Sequence, residues 1–338
     1  MLRKALLPIA AFISYALLAL YLYYPHFEHF GRLDYLYPVN SVLAGLGCFV
    51  LSRRWISSFA ASLLAGGVYG FGPFLLAFAR FHATAGFLAA SVPWFLCPAV
   101  YLARNKWRAV AIPLSLLPFL AIVAFFAVSI RYRLFAIPTQ AKPQLLDLAT
   151  LLAPLVMAGR SQTLVAFYHV PLAALLVGLL MLFAAKKAGI IAMLLAPIIL
   201  SFCDSLNAYL NVSPVAWLTI PLLVCSILIG LGTQGLISAA DPDRRWILLD
   251  AVFMAALAIV SLLLSTKYFQ FFASLADNVA RLFVRTGLMY TLAAIAVTIV
   301  YLMARTKLRL RVFRIALICS AMAVDIIPGA AFIVDRLL

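Results

Sequence analysis

Apolar residues in this chain neither alternate nor recur at every third or fourth position. They run on for about twenty residues at a time and are broken by short clusters that mostly carry two or more Lys or Arg. That length matches an α-helix crossing about 30 Å of hydrocarbon. With no water in the bilayer core, a spanning backbone must satisfy its own polar groups, as helices or a closed barrel do. A barrel would show segments of about ten residues with strict alternation and a polar interior. The pattern therefore predicts an all-α, polytopic integral membrane protein.

Basic clusters and turn residues cut the chain into about eleven apolar segments, near 5–24, 37–52, 56–79, 83–103, 109–130, 163–185, 188–206, 214–238, 246–265, 286–304 and 315–334. The second is short, and the second and third are expected to pack as a tight hairpin around Arg53-Arg54. Two connections are longer. Residues 131–162 hold Lys142, Asp147 and an apolar stretch from Leu145 to Ala158 that is too short to span, ends before Arg160 and reads as a re-entrant or interfacial helix. Residues 266–285 place Tyr268, Phe271, Phe272, Leu275, Val279, Leu282 and Phe283 at helical spacing among Lys267, Asp277, Arg281 and Arg285, an amphipathic surface helix. No internal repeat or soluble domain is visible, so residues 1–338 read as one transmembrane domain.

Composition agrees: 67% of the 338 residues are hydrophobic and 11% charged, against about 45–50% and 25% in soluble chains. The formal charge of +16 would suggest nucleic acid in a soluble protein. Here it is read first as a topology signal, because Lys and Arg resist translocation. With the N-terminus cytoplasmic, the inner side receives Arg3 and Lys4, Arg53 and Arg54, Arg104, Lys106 and Arg108, Lys186 and Lys187, Arg244 and Arg245, and Arg305, Lys307, Arg309, Arg311 and Arg314. Only Asp241, Asp243 and Asp250 oppose them there. Seven of the ten acids lie on the remaining, near-balanced side. Eleven spans place the C-terminus outside. The excess charge is a ring facing the headgroups of membrane lipids, which leaves no nucleic-acid partner, and the chain is expected in a bacterial cytoplasmic (inner) membrane.

Cys48, Cys97, Cys203, Cys225 and Cys319 lie in apolar runs without a CxxC pair and read as small hydrophobes. The first run is too long for a signal-peptide core and ends in Tyr21-Leu22-Tyr23-Tyr24, an interfacial aromatic belt. No P-loop, Rossmann GxGxxG, HExxH or GxSxG motif occurs.

Intramembrane ionisable groups then carry most information, since each costs about 2.5–3.5 kcal/mol on insertion scales unless paired or hydrated. Asp325 sits midway along its segment and is followed by Pro328-Gly329, a pair that can interrupt a helix and form a site as discontinuous transporter helices do. The alternative is a structural pair inside the bundle. Asp204 lies near an outer helix end among polar neighbours, and Asp250 near the inner interface. His169 and His82 are candidate haem ligands by residue type, but their spacing fits no pair, so no haem is expected. The densest polar cluster is the first outer loop, with His26, Glu28, His29, Arg32 and Asp34; Glu28 is the only Glu of the chain. His26, His29 and Glu28 are candidate ligands for a divalent cation, and Asp34 or Glu28 a candidate general base. A solvated loop is the plain alternative.

Residues 37–103 carry a more specific order. Tyr37-Pro38-Val39-Asn40 is followed by Leu51-Ser52-Arg53-Arg54-Trp55, by the small-residue run Ala60–Gly67 ending in Tyr69-Gly70-Phe71-Gly72-Pro73-Phe74, by His82, and by Val92-Pro93-Trp94. This resembles the membrane core of the C-type, YfhO-like glycosyltransferases, which use lipid-linked sugar donors. The resemblance implies a polyprenyl-phosphate sugar as partner, Asp34 as the catalytic carboxylate of the first outer loop with Glu28 as substitute, and His82 as the outer histidine. Arg80, Arg131, Arg133 and Arg160 are then candidates to hold a departing phosphate, because guanidinium matches its oxygens; interfacial anchoring is the alternative. Three function classes stay open: a glycosyltransferase at the outer face, a non-catalytic subunit of a membrane complex, and a small-molecule or ion transporter whose site Asp325 and Asp204 would form.

Overall fold

The structure is a computed structural model that describes residues 2–79, 83–103, 108–134, 142–144, 147, 149–156, 168–185, 188–239, 244–266, 277–306 and 310–337. Among these residues it is all-helical. Eight helices are long and apolar enough to cross a membrane, and one bent pair, Ala188–Ser201 with Asp204–Leu210, passes the same test jointly. Leu36–Ser52 and Leu172–Ala184 are apolar but shorter. Among the described residues each of the eleven apolar segments thus contains helix, although two are too short to span, one is the bent pair, and two (56–79 and 109–130) are each built from two successive helices.

The chain divides into two compact units. The first comprises Met1–Pro143, Lys186–Ile227 and Ala330–Leu338. Its helices are α1 (Leu2–Tyr23), α2 (Leu36–Ser52), α3 (Phe59–Gly70), α4 (Pro73–Ala79), α5 (Ala83–Leu102), α6 (Arg108–Leu114) and α7 (Leu117–Tyr132). The α2–α3 hairpin turns at Arg53-Arg54 as expected, with Arg53 Nη1 donating to the Ser57 carbonyl at 2.7 Å. Small residues bring its backbones together: a Cβ on Gly70 would strike the backbone of Ser41 and Gly45, and one on Gly66 the Gly45 carbonyl. In lipid, where tails are as apolar as side chains, such close packing is what holds helices together. Buried polar tips pair with backbone: the Tyr15 hydroxyl donates to Leu63 O (2.8 Å) and the Tyr69 hydroxyl to Ala89 O (2.7 Å).

The 188–206 segment is not one straight span. Helix α10 (Ala188–Ser201) and α11 (Asp204–Leu210) meet at 81°. At the break the Leu200 carbonyl accepts from Cys203 N at 3.1 Å and also from Asn207 Nδ2, which reaches back to it at 2.9 Å. Trp217 Nε1 donates to Asn207 Oδ1 at 2.7 Å and fixes that amide. The bend therefore has its own buried polar support.

The second unit comprises Gln144–Ala185 and Leu228–Gly329. It contains α8 (Ala149–Leu152), α9 (Leu172–Ala184), the C-terminal half of α12 (Thr219–Ser238), α13 (Arg244–Leu264), α14 (Asp277–Arg305) and most of α15 (Arg311–Leu337). Helices α13 and α14 pack along their length. Helices α9 and α12 cross through glycine: a Cβ on Gly232 would meet the Ala174 carbonyl, and one on Gly178 the Leu228 carbonyl. Two expectations change here. Residues 277–285 are continuous with the 286–304 segment as one 29-residue helix; the first part of the expected surface helix, 267–276, lies outside the described residues. Pro328-Gly329 does not interrupt α15, which runs through it. Proline removes one helical donor and crowds the preceding turn, a cost of about 3 kcal/mol, but leaves the φ angle helical. The carbonyl of Val324, one turn earlier, is left without its helical partner.

Candidate functional site

Two sequence features of the second unit place a histidine against an aspartate. Pro171 is the N-cap of α9, and a residue before proline is held extended. The chain therefore enters α9 as a strand-like lead, and His169 lies buried on it. Asp325 lies on α15, one turn before Pro328. His169 Nε2 and Asp325 Oδ1 are 2.9 Å apart, with side chains only 2% and 18% exposed. One proton between them satisfies both atoms, whether it resides on the imidazole or on the carboxyl.

The surroundings fix this pair. Tyr290, near the middle of α14, donates its hydroxyl to the carbonyls of Leu151 (3.1 Å) and Leu152 (2.9 Å). These carbonyls belong to α8, whose single turn cannot satisfy them internally. The stretch following Asp147 thus sits beside mid-helix α14. Thr150 ties the same stretch to the histidine lead, since its Oγ1 accepts from Tyr168 N at 3.1 Å and donates to Asp147 O. Asp147 caps the turn by accepting from Gln144 N at 2.8 Å. Partial burial pushes the Asp147 carboxyl above the usual carboxylate range, and the Gln144 N–H offsets part of that shift.

A cleft of about 40 Å³ opens from Asp325 and Tyr290 between α9, α12, α13, α14 and α15, with otherwise almost wholly apolar walls. It has room for about two or three waters. The site thus joins a buried imidazole–carboxyl hydrogen bond to a small cleft with almost wholly apolar walls.

The other expected residues fall elsewhere. In the first unit Asp34 Oδ2 accepts from Gly31 N at 2.7 Å, which holds the half-buried carboxylate as a turn cap. Glu28, His29, Arg32 and Arg131 are exposed. His26 pairs with Asp335 (Nε2 to Oδ1, 3.2 Å) rather than with Glu28 or His29. Asp204 forms an ion pair with Lys142 at 2.7 Å, both side chains more than half exposed. Arg80, His82 and Arg160 lie outside the described residues. Among the described residues no group of three His, Cys, Asp or Glu side chains could hold a metal ion. Tyr290, Tyr168 and Thr150 were not singled out by sequence; the only hint was a tyrosine-threonine pair, Tyr290-Thr291, in the middle of an apolar run.

Searches with this chain match no family model, no curated protein and no solved structure.

Proposed function

We propose that the protein is a proton-coupled carrier of a small molecule or ion in a bacterial cytoplasmic membrane, and that His169 and Asp325 bind the coupling proton. The reading includes eleven crossings with the N-terminus cytoplasmic and the C-terminus outside, supported by the short basic inner loops and by a helical element at each apolar segment. The observation that carries the function is the buried pair at the head of a cleft. An ionisable residue within a membrane helix is expensive, and proton relays of pumps and transporters are built from Asp, Glu and His. A purely structural bundle would reach the same packing with apolar side chains at lower cost.

The test is solute-driven proton movement in proteoliposomes, recorded with a trapped pH dye across a panel of amines, carboxylates, sugars and inorganic ions. Wild type is expected to move protons with at least one class, and Asp325→Asn and His169→Ala to lose about tenfold or more of it. Full movement in Asp325→Asn, or none in wild type across the panel, contradicts the carrier.

A second reading keeps the resemblance of residues 37–103: an enzyme acting on a polyprenyl-phosphate sugar at the outer face. It is favoured by Asp34, which the Gly31 N–H holds ordered and partly accessible. Sugar transfer from such a donor, lost in Asp34→Asn, would establish it. Copurification with other membrane proteins in fixed ratio would instead point to a subunit of a complex.

A further inference from the structure

The cleft that begins at Asp325 continues along the second unit toward the basic ends of its helices. Helices α14 and α15 both line the cleft. Tyr290 lies fifteen residues before Arg305, and Asp325 fourteen residues after Arg311, so each stands about 21–22 Å along its helix from that basic residue. Val300 and Ile318 of the lining stand only about 8–11 Å along their helices from the same two arginines, and Met254 of α13 lines the cleft with them. One helical turn beyond Met254 on the same face is Asp250; one turn beyond Ile318 is Arg314.

Asp250 is unusual. It is 3% exposed, and among the described residues neither carboxylate oxygen has a hydrogen-bond partner. A carboxylate so placed carries a large desolvation penalty unless it is protonated or hydrated. Buried polar atoms without protein partners mark waters or functional groups. Arg314 is buried too, its Nη1 directed at the carbonyls of Ile237 and Ser238 at the end of α12, 3.4 and 3.5 Å away. Among the described residues, the other charged ones toward this end are Arg305 on α14, Arg311 on α15, and Arg244 and Arg245 on the helix of Asp250 itself. Asp325, paired with His169, thus lines the cleft, and Asp250 lies one helical turn beyond the lining residue Met254.

Volume decides what passes between them. An engineered cavity that takes up benzene measures about 150 Å³; this cleft, at about 40 Å³, has room for waters and not for an organic solute. We propose that it is a proton path and that Asp250 is its second station, exchanging with the cytoplasmic side the proton that His169 and Asp325 bind. This rests on the carrier reading and adds the route. A proton leaves the His169–Asp325 pair for a cleft water, and the far water of the chain gives a proton to the Asp250 carboxylate. One proton is moved, and no heavy-atom bond is made or broken.

The experiment uses full-length protein in liposomes with trapped pyranine and a valinomycin-set, inside-negative potential, with the same panel of amines, carboxylates, sugars and inorganic ions supplied outside. The wild type is expected to acidify the lumen about tenfold faster than protein-free vesicles. Asp325→Asn, Asp250→Asn and Ala296→Leu are each expected to return the rate to the protein-free value. Ala296 lines the cleft, and leucine there fills the water space while keeping both acids. Thermal melting of each variant reports whether it has folded, and Ala296→Leu carries the test if Asp250→Asn has not. If only Asp325→Asn slows acidification, the path is overturned and the carrier reading stands. If no variant slows it, or wild type matches protein-free vesicles, the path and the pair as proton site both fail.

Discussion

Lys142–Asp204 and His169–Asp325 are pairs of nearly equal length, 2.7 and 2.9 Å, in opposite surroundings. The side chains of the first are 54% and 61% exposed; those of the second are 2% and 18% exposed. Water competes for every atom of the first, so its attraction is screened and its loss is repaired by hydration. In the second, far less water reaches either side chain. Distance alone does not rank such pairs. What surrounds them decides whether the pair decorates a helix end or is enclosed by the bundle.

The contrast can be broken most forcefully at the buried pair. His169→Ala removes the partner of the Asp325 carboxyl and costs about 3–5 kcal/mol, whereas Asp325→Asn keeps an amide within reach of the imidazole and costs less. Detergent-phase unfolding should show that loss, and His169→Leu with Asp325→Leu together should recover much of it, as a double-mutant cycle would reveal. A small loss in His169→Ala would remove the distinction between the two sites. Next in size is Tyr290→Phe. It strips the hydroxyl from the Leu151 and Leu152 carbonyls and should cost about 1–3 kcal/mol, with protease sensitivity rising around residues 144–156. Unchanged stability and cleavage would mean that these carbonyls find water instead.

Smaller still is Lys142→Ala or Asp204→Asn, expected to change stability by less than about 1 kcal/mol, with the difference vanishing at high salt. A loss matching that of His169→Ala would invert the comparison. The smallest effect is a pH slope from Asp147, whose folded carboxyl is held above its ordinary value by partial burial. The native state therefore prefers the protonated form. Its contribution is fully present below the unfolded value, near pH 4, and is lost as pH rises through the folded one. Stability measured upward from about pH 4 should fall slightly, and Asp147→Asn should flatten the fall. A slope of the opposite sign would show that the Gln144 N–H outweighs burial.

Much of the helical plan was legible because hydrocarbon leaves the backbone so few choices. A run of about twenty apolar residues between basic clusters must satisfy its own N–H and C=O groups, so its helix can be read from composition alone. The bend at Phe202-Cys203 could not be read that way. It is stabilised by Asn207 reaching back to Leu200 and by Trp217, contacts that depend on how the helix folds onto its neighbours. Pro328 suggested a break by local propensity, and the helix continues through it.

The site was half legible. Asp325 and His169 each stood out as ionisable groups in apolar runs, but 156 residues separate them and no periodicity links the two. Tyr290 looked like one more aromatic in a span. In the first outer loop, density of polar residues drew attention to Asp34, Glu28, His26 and His29. There the structure shows a turn cap, two exposed side chains and a histidine paired with Asp335. Clustering in sequence costs nothing in water, whereas burial of a single acid has to be compensated. Burial was thus the stronger signal, and only the fold supplies it.

The most direct test is infrared difference spectroscopy of the reconstituted protein across a pH step. If His169 and Asp325 share and exchange a proton, wild type will show paired carboxyl and imidazole bands that disappear together in Asp325→Asn and persist in Asp204→Asn. The same bands in Asp325→Asn as in wild type would contradict the assignment of the proton to this pair.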